Sequence, residues 1–176
     1  DRKMIINALN SEADGFMADF EDATSPTWEN LISGQINLRD AINNAISYHY
    51  SETNKTITLK DKFKNLATLH VRPRGLHLNE SNFLINGKEI SGSLFDFGVF
   101  FFTNAKKLVE LEAGPYFYLP KLETYQEAQW WNDVFVFSQK YLDIPYGTIR
   151  ATVLVEHIRL AFQMDEVLYM LRDHSA

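Results

Sequence analysis

A run of mostly β-branched and aliphatic residues at positions 148–156 constrains the fold of this chain more than any other stretch. The run ends on the carboxylate of Glu156, and a helical pattern follows it. A continuous apolar run of this length is typical of a strand that is buried on both faces in a parallel sheet. Such strands present functional groups at their carboxyl ends. The sequence therefore predicts a buried strand with Glu156 at the edge of the sheet.

Three earlier stretches share this pattern, in which charged residues close an apolar run. The charged residues that they deliver are Glu21 and Asp22, then Arg72 and Arg74, and finally Lys121. Since the carboxyl ends of parallel strands meet at one edge of a sheet, the pattern predicts a single pocket that these side chains share with Glu156.

Helical spacing of apolar residues follows each predicted strand. Helices are predicted near residues 25–45, 93–113, 123–142 and 160–171, after a short helix at residues 1–10. Residues 46–59 and 83–90 alternate at period two around a turn, and Asn86-Gly87 is a strong hairpin signal. The chain is therefore predicted to be an α/β protein with about four β-α units and two inserted β-hairpins.

The repeat predicts a mostly parallel sheet with right-handed crossovers. No glycine-rich phosphate loop follows the first strand, where Asp19-Phe-Glu-Asp22 stands instead, so a dinucleotide-binding fold is not expected. Charged strand ends favour a TIM (β/α)8 barrel, which takes eight units and roughly 250 residues. With 176 residues, the chain is predicted to be one domain that forms part of such a barrel, as though cut from something longer.

Composition argues against several classes of protein. The formal net charge is -6 and no basic cluster is present, which argues against a nucleic-acid partner. The longest apolar run, residues 98–103, is far short of the roughly 20 residues that a membrane span needs. No cysteine is present, so a disulfide framework and a thiolate nucleophile are excluded. The histidines lack zinc-site spacing, and no Gly-x-Ser-x-Gly elbow supports a hydrolase.

The residues alone leave the roles of the acidic groups open. Glu156 can be a metal ligand, a general base or the partner of a nearby arginine. Hard oxygen ligands of this kind suit Mg²⁺, which commonly takes one or two protein carboxylates. Asp19, Glu21 and Asp22 precede a helix, so at least one of them is expected to cap it or to meet its dipole.

The basic and aromatic groups also have two possible roles each. Arg72 and Arg74 flank a proline, so one guanidinium is expected to face the pocket and the other to form an ion pair on the surface. The first could bind a carboxylate or a developing enolate oxygen. Lys121 is expected to be structural, and Trp130 and Trp131 are expected to pack in the core rather than to stack on a ligand.

The chain resembles malate synthase, in the shorter form of bacteria and of plant and fungal glyoxysomes. Clear matches are Phe16-Met-Ala-Asp-Phe-Glu-Asp-Ala23, Val71-Arg-Pro-Arg-Gly75 and Gly114-Pro-Tyr-Phe-Tyr-Leu-Pro-Lys121. The matching segments lie in family order along the whole chain, at residues 1–10, 16–23, 25–30, 34–41, 71–78, 92–97, 114–121 and 164–168. The resemblance thus identifies residues 1–176 as the central part of a malate synthase TIM barrel.

The resemblance implies an enzyme of the glyoxylate cycle that condenses acetyl-CoA with glyoxylate and hydrolyses the thioester to malate and CoA. It implies Mg²⁺ as the cofactor, small-molecule substrates as partners, and a location in the bacterial cytoplasm or in glyoxysomes or peroxisomes. Arg72 matches the family's catalytic arginine, and Glu156 matches the metal-binding glutamate. Glu21 and Asp22 match acidic residues beside the metal. The second metal carboxylate, the aspartate base and much of the CoA site are expected beyond Ala176, so the chain alone is expected to be inactive.

The chain departs from the family after Glu156, where His157-Ile-Arg-Leu160 replaces the usual Thr-Leu-Pro-Ala and changes the start of the next helix. Two alternatives stay open. One is a relative of citrate-lyase-type enzymes or malyl-CoA lyase, which share the strand-end arginine and glutamate but lack these long helix and hairpin sequences. The other is a non-catalytic half-barrel module, whose unpaired strand edges and exposed apolar interior would favour self-association.

Overall fold

The computed structural model describes residues 1–175 of the chain. Its helices and strands occur in the following order: α1 (Arg2–Leu9), β1 (Gly15–Asp19), α2 (Trp28–Ile42), β2 (Ser47–Tyr50), β3 (Lys55–Thr58), β4 (Thr68–Arg72), β5 (Asn79–Ile85), β6 (Lys88–Ser91), α3 (Gly92–Glu110), β7 (Tyr116–Leu119), α4 (Tyr125–Leu142), β8 (Arg150–Val153), α5 (Ile158–Ala161) and α6 (Met164–Met170).

The central sheet contains four parallel strands in the order β1, β4, β7, β8. Each strand is joined to the next by a connection that contains a helix, as the apolar periodicity predicted. Asp19 at the end of β1 lies in register with Arg72 at the end of β4. All four carboxyl ends therefore lie at one edge of the sheet.

The two predicted hairpins are confirmed as separate two-stranded sheets. β2 pairs with β3, and β5 pairs with β6, both in antiparallel orientation. Asn86 and Gly87 form the turn of the second hairpin, with φ of 52° and 75°. Positive φ at both central residues is what a tight hairpin turn requires, and asparagine and glycine adopt it at little cost.

Helices cover one face of the central sheet and form the core there. Phe117 of β7 is fully buried, and its ring packs 4.9 Å from that of Phe97 in α3. Trp131 and Phe135 of α4 pack on the same phenylalanine, Phe97. The prediction for the tryptophans is confirmed for Trp131, which is 1% exposed, whereas Trp130 is 38% exposed.

The fourth strand is shorter and less buried than predicted. β8 covers four residues of the predicted run, and Val155 beyond it is 44% exposed. The reason is its place in the sheet: β8 has a full partner only in β7, and within residues 1–175 its other neighbour is a single bridge between Ala151 and Ser175. The described residues thus form part of a barrel and do not close one.

The last predicted helix is two short helices, α5 and α6. Gln163 separates them with a non-helical φ of -130°. Its side-chain oxygen accepts a hydrogen bond of 3.0 Å from the backbone N–H of Tyr125, which ties the break to the start of α4. Across residues 1–175, none of the helices has both the length and the apolar composition of a membrane span.

Candidate active site

Six charged side chains gather at the carboxyl edge of the parallel sheet, as the strand ends predicted. This strand-end cluster consists of Asp19, Glu21, Asp22, Arg72, Lys121 and Glu156. Its members come from all four β-α units, because each lies at or within a few residues of the end of a parallel strand. The cluster joins residues that are far apart in sequence, and Arg72 and Glu156 lie at the same edge rather than at opposite ends of the sheet.

Arg72 is held by Asp19 across the β1–β4 pair. Its Nε and one terminal nitrogen donate hydrogen bonds of 2.8 and 2.5 Å to the two carboxylate oxygens of Asp19. The other terminal nitrogen lies 3.8 Å from Glu21 and 3.9 Å from Asp22. The paired hydrogen bonds raise the pKa of Arg72 and, although burial opposes them, leave the pKa of Asp19 below its usual range. Both groups are therefore charged at neutral pH, and the guanidinium has a fixed orientation.

The sequence indicated Asp19 only as one of three acidic residues before a helix and did not identify it as a site residue. The acidic group also does not provide the N-cap of α2 that was expected of it. Asp19 instead accepts hydrogen bonds of 2.8 Å from the backbone N–H groups of Glu21 and Ala23, and so orders the turn after β1. The N-cap of α2 is Thr27, whose side chain accepts from the backbone of Asn30.

Glu156 is bound at both oxygens by one residue. The backbone N–H of Lys121 donates to Oε1 at 2.8 Å, and the ammonium of Lys121 donates to Oε2 at 3.0 Å. The same ammonium lies 3.6 Å from Asp22 and 3.9 Å from Glu21. Lys121, expected to be structural, thus lies inside the cluster and connects the end of β7 to the ends of β1 and β8.

Glu21 has the least favourable electrostatic environment in the cluster. Its side chain is 3% exposed, and Oε2 has no hydrogen-bond partner within residues 1–175. Burial, followed by the hydrogen bond and the negative charge of the neighbouring Asp22, raises the pKa of Glu21 to about 7. An unpaired buried carboxylate oxygen is costly, so this position favours an added proton or an added cation.

The cluster fits a hard divalent cation in part. Among residues 1–175, no three His, Asp or Glu side chains are already arranged around a common metal position. The carboxylates of Glu21, Asp22 and Glu156 nevertheless surround one ammonium, and one of their buried oxygens lacks a partner. Mg²⁺ commonly uses one or two protein carboxylates and fills its other positions with water and substrate. The chemistry of these donors therefore suits Mg²⁺.

Arg74 does not form the surface ion pair that was expected of it. Its side chain is 3% exposed and donates three hydrogen bonds of 2.8 to 3.0 Å to Asp96 and Glu80, which are also buried. The backbone N–H of Arg74 also donates to Asp96. The two arginines have different partners: Arg72 contacts Asp19, whereas residues of α3 and of the β5–β6 hairpin contact Arg74. Arg74 therefore does not contribute to the pocket.

This buried ion group could not be found from the sequence. Asp96 lies among apolar residues in α3, and Glu80 lies near the start of a hairpin strand, so neither has a local pattern that indicates a buried partner. Gly92 leaves room for the guanidinium, because a Cβ at this position would lie 2.9 Å from its central carbon. This buried ion group holds the β5–β6 hairpin and α3 against Arg74, two residues beyond Arg72.

A cavity of about 330 Å³ opens beside Glu156. Its lining is mostly charged and consists of Leu76, His77, Lys121, Glu123, Glu127, Glu156 and His157. His157, part of the family departure, serves as the N-cap of α5 by accepting a hydrogen bond from the backbone of Arg159. A second cavity of about 380 Å³ lies between α1, β1 and α2 and shares only Asp19 with the strand-end cluster. Of these two cavities, the smaller one is thus lined by Lys121 and Glu156 of the strand-end cluster.

Comparison with known proteins identifies the family of the chain. Residues 68–176 match the family model described as the malate synthase TIM barrel domain. The chain is 58% identical to the malate synthase of Myxococcus xanthus and 58% identical to that of Dictyostelium discoideum, in each case over all of this chain and 32% of the relative. It is 50% identical to the glyoxysomal malate synthase of Candida tropicalis, again over all of this chain and 32% of the relative. The chain thus spans about a third of the length of the curated relatives that it matches, and it belongs to the malate synthase family.

Proposed function

We propose that this chain is the part of a malate synthase that provides the arginine and the metal-binding glutamate for the condensation of acetyl-CoA with glyoxylate. The observation that carries the proposal is the convergence of Arg72 and Glu156 at one sheet edge, linked through Asp22 and Lys121 by contacts of 3.9 Å or less. Family membership adds to it, because the relatives that match the whole chain are named malate synthases.

Arg72 has the properties that an enolate-stabilising residue needs. Removal of a proton from the methyl group of a thioester places negative charge on the carbonyl oxygen, and fixed positive charge beside that oxygen lowers the barrier. Asp19 orients the guanidinium and keeps it charged, so no rearrangement is needed as the charge develops. The third nitrogen of Arg72, which has only distant contacts to Glu21 and Asp22, is the group that would face the substrate.

Glu156 is proposed to hold Mg²⁺ at the sheet edge, with Glu21 and Asp22 beside it. Bound there, the cation would hold glyoxylate and polarise its aldehyde for attack by the enolate. The cavity beside Glu156 gives room for a small oxo acid. Residues of the family that this chain does not match are proposed to supply the aspartate base, the second metal carboxylate and the rest of the CoA site.

The proposed location follows the relatives. Those that match include bacterial malate synthases and glyoxysomal ones from a yeast and from plants. The chain is accordingly proposed to act in the cytoplasm of a bacterium or in the glyoxysomes or peroxisomes of a eukaryote. Small molecules are its proposed partners, together with further copies of itself where the open sheet is left uncovered.

A chimera tests the proposal directly. Residues 1–176 would replace the matching third of the Myxococcus xanthus malate synthase, and malate formation from acetyl-CoA, glyoxylate and Mg²⁺ would be measured. We expect turnover by the chimera and none by the isolated chain. Arg72→Lys in the chimera is expected to lower kcat roughly 100-fold, as for loss of one oxyanion donor, because an ammonium cannot keep both hydrogen bonds to Asp19.

Lys107→Met is the matched control for the chimera, since Lys107 pairs only with Glu110 on the surface of α3. A chimera that unfolds cooperatively but forms no malate would contradict the proposal, as would an Arg72→Lys variant with unchanged kcat. Turnover by the isolated chain would refute the need for further residues. Release of a 3-hydroxyacyl-CoA cleavage product without thioester hydrolysis would instead favour a lyase.

A further inference from the structure

Lys121 occupies the place within the strand-end cluster where a cation is most needed. Its ammonium lies 3.0, 3.6 and 3.9 Å from carboxylate oxygens of Glu156, Asp22 and Glu21. Arg72, the other cation of the cluster, is committed to Asp19 by two hydrogen bonds. The remaining terminal nitrogen of Arg72 lies 3.8 Å from Glu21 and 3.9 Å from Asp22, so Lys121 makes the shorter contacts to Asp22 and Glu156. One buried oxygen of Glu21 has no hydrogen-bond partner among residues 1–175.

The local backbone directs Lys121 to this place. The residue has a left-handed φ of 57° just after β7, and its backbone N–H donates to the same glutamate as its ammonium does. The stem packs closely, because a Cβ on Gly75 would lie 3.2 Å from Cγ of Lys121. The side chain is nevertheless 35% exposed, so the ammonium can leave the cluster without entering the core.

Both oxygens of Glu156 are occupied in this arrangement, one by the backbone and one by the ammonium. A divalent cation that coordinates Glu156 must therefore displace the ammonium from Oε2, while the backbone hydrogen bond keeps the carboxylate in position. We propose that Lys121 is a placeholder cation: its ammonium keeps Glu156, Asp22 and Glu21 together while no metal is bound, and it yields Oε2 of Glu156 when a divalent cation binds. This inference rests on the metal site of the proposed function and deepens it.

The placeholder has a measurable thermodynamic consequence. An ammonium 3.0 Å from the proposed ligand oxygen of Glu156 opposes a dication both by occupying that oxygen and by repulsion. Removing it leaves the metal-free state with uncompensated carboxylates and makes the metal-bound state relatively more favourable. Lys121→Met is therefore expected to bind Mn²⁺, used as a probe for Mg²⁺, about tenfold more tightly than the unaltered chain.

The experiment uses the chimera described above, in which the second metal carboxylate is supplied, and compares the variants with the unaltered chain in that background. It measures Mn²⁺ affinity by calorimetry and by the electron paramagnetic resonance of free Mn²⁺. Lys107→Met removes the same charge from a remote surface pair and is expected to leave the affinity unchanged. Glu156→Gln is expected to weaken binding at least tenfold, which assigns the measured site. Lys121→Gln, which keeps a polar side chain of similar reach, serves where the methionine variant does not fold.

Thermal unfolding gives a second readout that a merely structural lysine would not produce. Without metal, Lys121→Met is expected to have a lower Tm than the unaltered chain, and saturating Mn²⁺ is expected to raise its Tm by more than it raises that of the unaltered chain. Equal or weaker Mn²⁺ affinity in the Lys121 variants, with binding still dependent on Glu156, would overturn the placeholder role alone. Absence of any Glu156-dependent Mn²⁺ binding would overturn the metal site and this inference with it.

Discussion

Replacement of Arg74 by methionine is expected to destabilise this chain strongly, although Arg74 lies outside the pocket. The substitution keeps most of the apolar stem and removes the guanidinium. It leaves the carboxylates of Asp96 and Glu80 buried, at 0% and 3% side-chain exposure, without their cation. Breaking a buried ion pair by removing one partner typically costs about 3–5 kcal/mol, because the remaining charge is neither solvated nor paired. We expect a loss in the free energy of unfolding within that range.

Urea unfolding followed by tryptophan fluorescence measures this loss. The matched control is Lys107→Met, which removes a cation from an exposed pair three residues apart in α3. Such surface pairs contribute less than about 0.5 kcal/mol. Burial already raises the pKa of Asp96, so an unpaired Asp96 takes up a proton more readily as the pH falls. The loss in Arg74→Met is therefore expected to be larger at pH 8 than at pH 5.

The result that would refute this reasoning is an Arg74→Met variant no less stable than Lys107→Met at pH 8. Arg74→Lys separates charge from geometry, because a lysine keeps the charge but cannot make the three hydrogen bonds to two carboxylates. It is expected to lose less stability than Arg74→Met. Equal losses in the two variants would mean that packing, rather than charge compensation, accounts for the effect.

Three further predictions concern the cluster, the core and the open sheet. Since the pKa of Glu21 is raised from 4.5 to about 7, the folded state keeps a proton that the unfolded state releases, so the free energy of unfolding falls as the pH rises through that window. Urea titrations should show a free energy of unfolding that is roughly 2 to 3 kcal/mol lower at pH 8 than at pH 5, a difference that Glu21→Gln lacks. The same pH dependence in both proteins would contradict the assignment. Trp131→Ala is expected to cost about 3–5 kcal/mol and Trp130→Ala at most about 1 kcal/mol, because only the first is buried, and similar denaturation midpoints would count against the core assignment. Exposed apolar residues in the segment after β8, among them Phe162 at 83% and Leu168 at 59% exposure, are expected to drive self-association, which sedimentation velocity would disprove by finding a monomer at all concentrations.

The sequence by itself determined the β-α repeat, both hairpins and the edge at which the charged residues meet. These features follow from short-range patterns: apolar periodicity distinguishes strand from helix, and a turn such as Asn86-Gly87 requires residues that adopt positive φ. Because parallel strands place their carboxyl ends together, the charges after four apolar runs could be assigned to one pocket before any contact was known. The roles proposed for Arg72 and Glu156 likewise rest on a resemblance in local residue patterns.

Only the tertiary structure decided which charges pair with each other. Arg72 and Arg74 have nearly the same sequence context, yet one binds Asp19 at the sheet edge and the other is buried against Asp96. Lys121 is likewise paired with Glu156, a residue far along the chain. An ion pair depends on distance, burial and the geometry of both partners, and none of these is a local property of the sequence. For the same reason the shortening of β8 was not predicted, since burial of a strand depends on whether a neighbour pairs with it.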